Sequence, residues 1–193
     1  MKNSKITVLT ECAIMVALAF ALSCAKLFPM PLGGSVTGAS MLPIMLIGVK
    51  YGNAVGLGTA FIYSLTQALQ SLFAGNVFPY CETEKTLIIC VLFDYLVPFT
   101  VLGLAGAFKN VRAFKNQEFG VYFGMCLTVI LRFLCHFITG VAIWGQWAPD
   151  GMGKYIYSLA YNGSFLSLDF AICIACAVLM MRKSEIRKLI NLN

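Results

Sequence analysis

The stretch RFLCHFITGVAIWGQWAPDGMGKYIYSLAYNG, residues 132–163, decides how this chain folds. It begins inside one strongly apolar run and ends inside the next, so its centre is a connection between two long helices. Charged or polar side chains are costly against hydrocarbon and usually face a bundle interior or a cavity. The stretch therefore predicts neighbouring membrane helices with a polar interior, lined by Arg132, His136, Trp144, Tyr157 and Asn162.

The composition places the chain in a membrane. Hydrophobic residues make up 60% of its 193 residues, charged residues make up 11%, and the mean hydropathy is +0.83. A soluble domain carries about 25% charged residues, so a soluble bundle is the weaker interpretation. Five apolar runs are near or above the ~20 residues that cross a bilayer as a helix, and a sixth is shorter. We predict an all-α integral membrane protein, one domain over residues 1–193, with six transmembrane helices at 7–27, 39–49, 54–73, 86–108, 119–144 and 155–181.

Basic residues are distributed unevenly between the two sides that six spans create. With both termini on one side, that side receives ten basic residues and the other receives three. Basic loops mark the cytoplasmic face, so both termini are predicted to be cytoplasmic. The net charge of +6 needs no nucleic-acid partner, because the basic ends can meet anionic lipid headgroups. The ten are Lys2, Lys5, Lys50, Lys109, Arg112, Lys115, Arg182, Lys183, Arg187 and Lys188, against Lys26, Lys85 and Lys154.

The chain carries no pattern typical of an enzyme. Its eight cysteines show no metal-ligand spacing, and most lie within apolar runs, where cysteine is usually a small buried hydrophobe. Nucleotide-binding, metalloprotease and nucleophile-elbow motifs are missing from the sequence. We therefore predict no metal, no cofactor and no catalytic residue. Any ATP-driven work requires another subunit.

Small residues mark one face of the first helix. Ala13, Ala17, Ala21 and Ala25 recur every four residues, which keeps them on one side. Small side chains allow another helix to approach closely in lipid. The stripe indicates either packing against this protein's own helices or a docking face for a membrane partner, for which Ala13, Ala17 and Ala21 are the candidates. The loop at 27–40, rich in proline and glycine, is either a plain connector or a lid.

Three helices are predicted to place polar side chains at one depth. Asp94, His136 and Asn162 each lie about seven to nine residues from the same end of their helices, roughly 10–14 Å deep. This favours a shared binding pocket over separate polar residues with an interfacial aromatic belt. Gln67 and Gln70 are placed to join them, and Tyr95, Trp144 and Tyr157 to wall the same space.

A second polar layer lies deeper. Arg132 is one turn inward of His136, and Asp169 is two turns inward of Asn162. An unpaired charge at that depth is costly, so we predict a structural ion pair between Arg132 and Asp169. The alternative is a proton or ion relay.

With these residues in view, the chain resembles the thiamine-specific substrate-binding (S) components of energy-coupling factor (ECF) transporters, the ThiT/YuaJ family. Four segments carry the resemblance. They are ILRFLCHFITGVAIWGQWAPDGM at 130–152, YSLAYNG at 157–163, FDY at 93–95 and PLGGSVTGASMLPI at 31–44.

The resemblance implies a six-helix protein of the bacterial cytoplasmic membrane that holds thiamine near its outer face, under the first loop. His136, Trp144, Tyr157 and Asn162 match the family's ligand positions, Asp94 matches an acidic position, and Tyr95 follows it. It also implies that the alanine stripe docks on a transmembrane coupling subunit that works with two ATPase subunits. Some members have a tryptophan in the first loop. This chain has none there, so Phe28 or Met30 is the candidate cover.

Three functions are consistent with these features. The first is a non-enzymatic, high-affinity thiamine-capture subunit, with an S component for another vitamin as its variant. The second is a stand-alone, proton-coupled transporter of a small cationic or heteroaromatic solute. The third, an intramembrane enzyme, lacks a catalytic constellation.

Overall fold

A computed structural model describes residues 4–30, 33–114 and 116–192. Lys2, Pro31, Leu32 and Lys115, which enter the predictions above, lie outside the described residues. Helices dominate the fold, and one short hairpin interrupts them. The elements are α1 (Lys5–Cys24), β1 (Lys26–Pro29), β2 (Ser35–Thr37), α2 (Leu42–Tyr51), α3 (Asn53–Ala74), α4 (Glu84–Leu104), α5 (Gln117–Ala142), α6 (Lys154–Met181) and α7 (Ser184–Leu189).

Four helices of the described chain, α1, α4, α5 and α6, are long and apolar enough to cross a membrane. α3 has 22 residues, a sufficient length, but it carries several serine, threonine and glutamine side chains. The predicted short span at 39–49 forms the ten-residue α2, roughly 15 Å long and about half of a hydrocarbon core. Its residues 42–49 are all buried, so α2 is an internal helix that does not span the core by itself.

The loop after α1 is not a plain connector. β1 and β2 pair antiparallel, with Phe28 opposite Val36, and the Met30 amide donates to the Gly34 carbonyl at 2.7 Å. The all-α fold class is confirmed, with this short hairpin as an addition to the helices. It is followed by α2, and its second strand contacts α6.

Glycine permits the closest helix approaches. α2 and α3 meet at Gly52, whose φ of 84° is open to glycine and strained for other residues. α3 and α4 cross at Gly56 and Gly103, where a Cβ on either glycine would collide with the other backbone. Gly56 and Gly103 therefore serve the close packing of α3 against α4.

A buried lysine ties three segments together at one end of the bundle, here called the basic end. Lys109, just after α4, donates from Nζ to the Ile190 carbonyl at 2.8 Å and to the Val49 carbonyl at 3.2 Å. Burial holds the pKa of this ammonium below its usual range. The two carbonyls compensate the buried charge and fix the C-terminal segment against the end of α2.

The first and last helices also meet other elements at the basic end. Glu11 of α1 pairs with Lys50 at 2.6 Å, and Arg187 of α7 pairs with Glu118 of α5 at 2.5 Å. The start of α1 and the C-terminal segment therefore lie at the same end of the bundle.

The alanine stripe faces outward. Ala13, Ala17 and Ala21 are exposed, whereas Ala19 and Ser23 are the residues of α1 that are buried in the bundle. Packing against the protein's own helices is therefore not the role of the stripe in this structure.

Candidate functional site

A polar cavity opens at the end opposite the basic end, between α3, α4, α5, α6 and the hairpin. Its volume is about 120 Å³. All seven residues predicted to bind substrate line it, and so do Arg132 and Asp169. The seven are Gln67, Asp94, Tyr95, His136, Trp144, Tyr157 and Asn162. Asp94, His136 and Asn162, which were predicted to lie at one depth, line the same cavity in the folded chain.

The Asp94 carboxylate is the centre of the site. Its Oδ1 lies 3.0 Å from His136 Nδ1 and also accepts from the Thr139 hydroxyl. Its Oδ2 accepts from the indole Nε1 of Trp144 at 2.9 Å. The Asp94 side chain is 11% exposed, so its charge is compensated by these donors and not by bulk water.

The backbone of α4 changes at this point. Residues Val91–Leu96 form a π-helical segment, in which the Val97 amide donates to the Leu92 carbonyl. Pro98 lacks an amide hydrogen, so the Asp94 carbonyl has no partner four residues on. Short π segments accommodate such a break and occur frequently at functional sites. This one places Asp94 and Tyr95, consecutive residues, on the same cavity.

Tyr95 and Gln67 form the wall between α3 and α4. The Tyr95 hydroxyl donates to Ser71 Oγ at 2.6 Å, and its ring packs on Phe78 with centroids 5.2 Å apart. Gln67 Nε2 donates to Ser23 Oγ of α1 at 3.0 Å. These contacts fix the wall before any ligand enters.

Asn162 connects α6 to α5. Its Nδ2 donates to the His136 carbonyl at 3.1 Å and to the Ser158 carbonyl at 3.1 Å. α5 and α6 approach closely here because residue 140 is glycine. A Cβ at this position would collide with the Ser158 side chain. Asn162 thus positions the backbone of the His136 turn as well as lining the cavity.

The predicted ion pair between Arg132 and Asp169 is not formed. Within the described residues, no nitrogen of Arg132 lies within 4.0 Å of an Asp169 oxygen. Arg132 instead donates from Nε to His136 Nε2 at 3.3 Å and lies over the Phe99 ring at 4.3 Å. Arg132 and Asp169 nevertheless line the same cavity.

The Asp169 carboxylate accepts hydrogen bonds from the hairpin. The amide and hydroxyl of Thr37 donate to Asp169 Oδ1 at 2.9 and 2.8 Å. Nearer the cavity mouth, the Gly34 amide donates to the Tyr161 hydroxyl at 3.1 Å. We call these two attachments, Thr37–Asp169 and Gly34–Tyr161, the hairpin latch. The backbone amide and side-chain hydroxyl of Thr37 thus take the place predicted for Arg132 beside the Asp169 carboxylate.

Aromatic rings surround the polar centre. Trp144 packs on Trp147 with centroids 5.6 Å apart, and Tyr157 packs on Tyr161 at 5.8 Å. The suggested cover residue Phe28 points away, with 65% of its surface exposed. The hairpin contributes to the cavity instead through Lys26, Gly33, Gly34, Ser35 and Thr37.

Sequence reasoning missed several residues of the site. Thr139 lies three residues after His136 and Ser71 four residues after Gln67, so helical spacing was a signal for both. Tyr161 is four residues after Tyr157 on the same helix. Thr37 offered no comparable signal, because its partner lies 132 residues away in sequence.

This arrangement suits a small, flat, positively charged ligand. A buried carboxylate attracts a cation, and indole and phenol rings bind cations and aromatic rings on their faces. In the described part of the chain, no group of three or more histidine, cysteine or acidic residues is placed to hold a metal ion.

Comparison with known proteins agrees with this geometry. The family profile described as "Thiamine transporter protein (Thia_YuaJ)" matches residues 9–189. The chain belongs to this thiamine transporter family. The resemblance drawn from its motifs is thereby confirmed at the family level, and so is the prediction of a transport protein rather than an enzyme.

Individual relatives cover most of the chain. The thiamine transporter ThiT of Bacillus subtilis strain 168 is 33% identical over 190 residues, 93% of each chain. ThiT of Lacticaseibacillus paracasei is 26% identical over 172 residues, 84% of this chain and 80% of the relative. A solved ThiT structure from Listeria monocytogenes superposes with a TM-score of 0.70 at 21% identity, covering 95% and 98% of the two chains. Like the family, the chain is a multi-pass membrane protein.

Proposed function

We propose that this chain is the thiamine-capture subunit of an ECF-type uptake transporter. The observation that carries the proposal is the buried Asp94 carboxylate, which is held by three donors inside a ring of aromatic side chains. Thiamine combines a permanent thiazolium cation with an aminopyrimidine. The cation matches the carboxylate and the rings match the aromatic wall.

The remaining side chains supply donors and acceptors for the ligand. Tyr157 and Trp144 offer ring faces, each worth about 1–2 kcal/mol toward a desolvated cation. Asn162 and His136 supply amide and imidazole groups for ring nitrogens and an exocyclic amine. Pre-formed walls reduce the entropy lost on binding, and this favours high affinity.

The same proposal includes the membrane arrangement. The chain crosses six times as one domain, with the hairpin and α2 together forming the second crossing, and the basic end is cytoplasmic. Three observations support this: the shared end of both terminal segments, the concentration of lysine and arginine there, and the cavity at the opposite end.

Uptake requires partners. The sequence carries no nucleotide-binding motif, and in this proposal a transmembrane coupling subunit and two ATPase subunits supply the energy. The outward alanine stripe of α1 is the face that the coupling subunit contacts, since small side chains permit close helix approach in lipid.

Fluorescence of the purified protein tests the ligand. The chain has two tryptophans, Trp144 and Trp147, and they pack on each other at the cavity. We expect saturable quenching by thiamine at submicromolar concentration, a binding free energy beyond about 8 kcal/mol. Riboflavin, biotin and folate serve as controls. Quenching by one of these and not by thiamine would indicate an S component for another vitamin.

Proteoliposomes test the energy source. We expect thiamine uptake with the coupling subunit, the ATPases and ATP, and none by the chain alone under a proton gradient. Uptake by the chain alone would support the stand-alone, proton-coupled transporter and contradict the proposed partnership.

A further inference from the structure

Both ring nitrogens of His136 are engaged in the cavity. Nδ1 lies 3.0 Å from Asp94 Oδ1, and Nε2 lies 3.3 Å from the Nε of Arg132. The three side chains form a line from α4 into α5, with the imidazole in the middle. His136 is 8% exposed, so these two neighbours determine where its proton resides.

The chemistry of arginine fixes the direction of the line. A guanidinium carries only donors, so Arg132 Nε–H must donate and His136 Nε2 must accept with a free lone pair. The single imidazole proton then sits on Nδ1 and is donated to Asp94. A single proton on Nε2 would break the bond to Arg132 and turn the Nδ1 lone pair toward the Asp94 carboxylate. Protons on both nitrogens would place a second buried cation beside the guanidinium.

We propose that Arg132 is a positioning residue that holds His136 as the neutral Nδ1–H tautomer throughout pH 5.5–8, so that no imidazolium offsets the Asp94 carboxylate when a cationic ligand binds. This inference rests on the proposed function for the identity of the ligand. Arg132 acts through the imidazole and need not touch the ligand.

The surroundings of His136 leave this control to two residues. α6 presents Asn162 and the Phe165 ring, 6.1 Å away, and neither titrates. The other ionisable groups of the cavity lie further along it or belong to phenols and thiols. They are Asp169, which is bonded to Thr37, Lys26 at the rim, Tyr95, Tyr157, Tyr161 and Tyr63, together with Cys90 and Cys135 near Asp94.

Asp94 and Arg132 act in opposition. The carboxylate of Asp94, 3.0 Å from Nδ1, favours a charged imidazolium, whereas the guanidinium of Arg132, 3.3 Å from Nε2, disfavours it. Protonation would also cost the Arg132 hydrogen bond, since Nε2 could no longer accept. If Arg132 were absent, Asp94 would act alone, and His136 would gain a proton as the pH falls. The imidazolium would then cancel the charge that attracts the ligand.

Nitrogen-15 NMR tests the tautomer without any ligand. His136 is the sole histidine of the chain, so its imidazole signals need no assignment by mutation. We expect one protonated nitrogen, Nδ1, unchanged from about pH 8 to about pH 5.5. A proton on Nε2, or protonation of both nitrogens in that range, would overturn the inference.

Thiamine affinity as a function of pH provides the second readout. Wild-type dissociation constants should change less than about twofold between pH 8 and pH 5.5. Arg132→Met should weaken binding at least about tenfold over the same range. Arg132→Lys, which keeps a cationic donor, should restore a flat profile, and His136→Gln added to Arg132→Met should abolish the pH response.

The controls separate the possible failures. A flat profile in Arg132→Met would overturn the role of Arg132. If Asp169→Asn alone made thiamine binding depend on pH, the pH dependence would belong to the Asp169 carboxylate. That result would also overturn the role of Arg132. If Arg132→Met does not fold, the wild-type NMR result decides. Absence of thiamine binding at every pH contradicts the proposed function, while the NMR measurement still tests the tautomer.

Discussion

At the scale of single residues, Asp94 does more than offer a charge. Its two oxygens hold His136, Thr139 and Trp144, residues from α5 and the turn that follows it. Removing the charge therefore affects both the attraction of a cation and the position of the wall. Hydrogen bonds to charged groups contribute about 1.5–3 kcal/mol each.

Asp94→Asn should weaken thiamine binding at least tenfold, about 1.4 kcal/mol, because the amide lacks the charge and offers one acceptor in place of two. Titration by tryptophan quenching measures the effect. Asp150→Asn is the matched control, since Asp150 is an exposed carboxylate after the Trp144–Trp147 turn, and its affinity should not change. Normal binding by a folded Asp94→Asn protein would place the site elsewhere.

Asn162→Ala should also weaken thiamine binding at least tenfold, about 1.4 kcal/mol. The alanine removes a polar group from the cavity and frees the His136 carbonyl that Asn162 holds at 3.1 Å. Calorimetry gives the affinity. Ser167→Ala, an exposed position on the same helix, serves as the control. Equal affinities for the two variants would remove Asn162 from the site.

Single residues of the cavity were predictable where helix geometry governs them. Asp94, His136 and Asn162 share a depth because each residue advances a helix by about 1.5 Å, and sequence distance converts directly into position. The predicted ion pair between Arg132 and Asp169 was wrong because the depth of two side chains in the bundle does not determine which neighbours they contact. Arg132 contacts Phe99 and His136, and Asp169 accepts a hydrogen bond from Thr37.

At the scale of elements, the hairpin borders the cavity and is attached to α6 by hydrogen bonds. Its latch to α6 consists of the contacts Thr37–Asp169 and Gly34–Tyr161. A loop held to a helix by few bonds is a natural route for ligand exchange. No periodicity in the sequence indicates such a latch, so the sequence does not distinguish a connecting loop from a lid.

Thr37→Val should speed thiamine dissociation about tenfold, because it removes one of two hydrogen bonds to the buried Asp169 carboxylate and retains the side-chain volume. Stopped-flow fluorescence measures the release. Tyr161→Phe should act in the same direction, since it removes the acceptor of the Gly34 amide. If release is unchanged in both variants, the hairpin does not limit exchange.

At the scale of the whole molecule, α1 stands apart. Only 11% of its apolar segment is buried inside the protein, compared with 33–44% for α4, α5 and α6. Its outward face is therefore available to lipid or to a partner helix, while its buried face borders the cavity through Ser23. Binding and partner contact are separable in this architecture.

Ala17→Trp should abolish co-purification with the coupling subunit and thiamine uptake, because a bulky ring keeps a partner helix from the stripe. Thiamine binding to the isolated protein should persist. Leu168→Trp, on an exposed face of α6, is the matched control and should leave both activities intact. Unchanged uptake in Ala17→Trp would show that no helix docks there, and joint loss of binding would show that the stripe supports the fold.

The buried ammonium of Lys109 has a consequence for how this protein tolerates sequence change. Its two acceptors, the carbonyls of Val49 and Ile190, are backbone atoms that every amino acid possesses. Saturation mutagenesis should therefore find that Lys109 tolerates no replacement, although the junction joins Lys109 to two other segments. Apolar replacements at 49 and 190 should survive selection, and residues aligned there in distant relatives can differ freely while the junction itself is inherited.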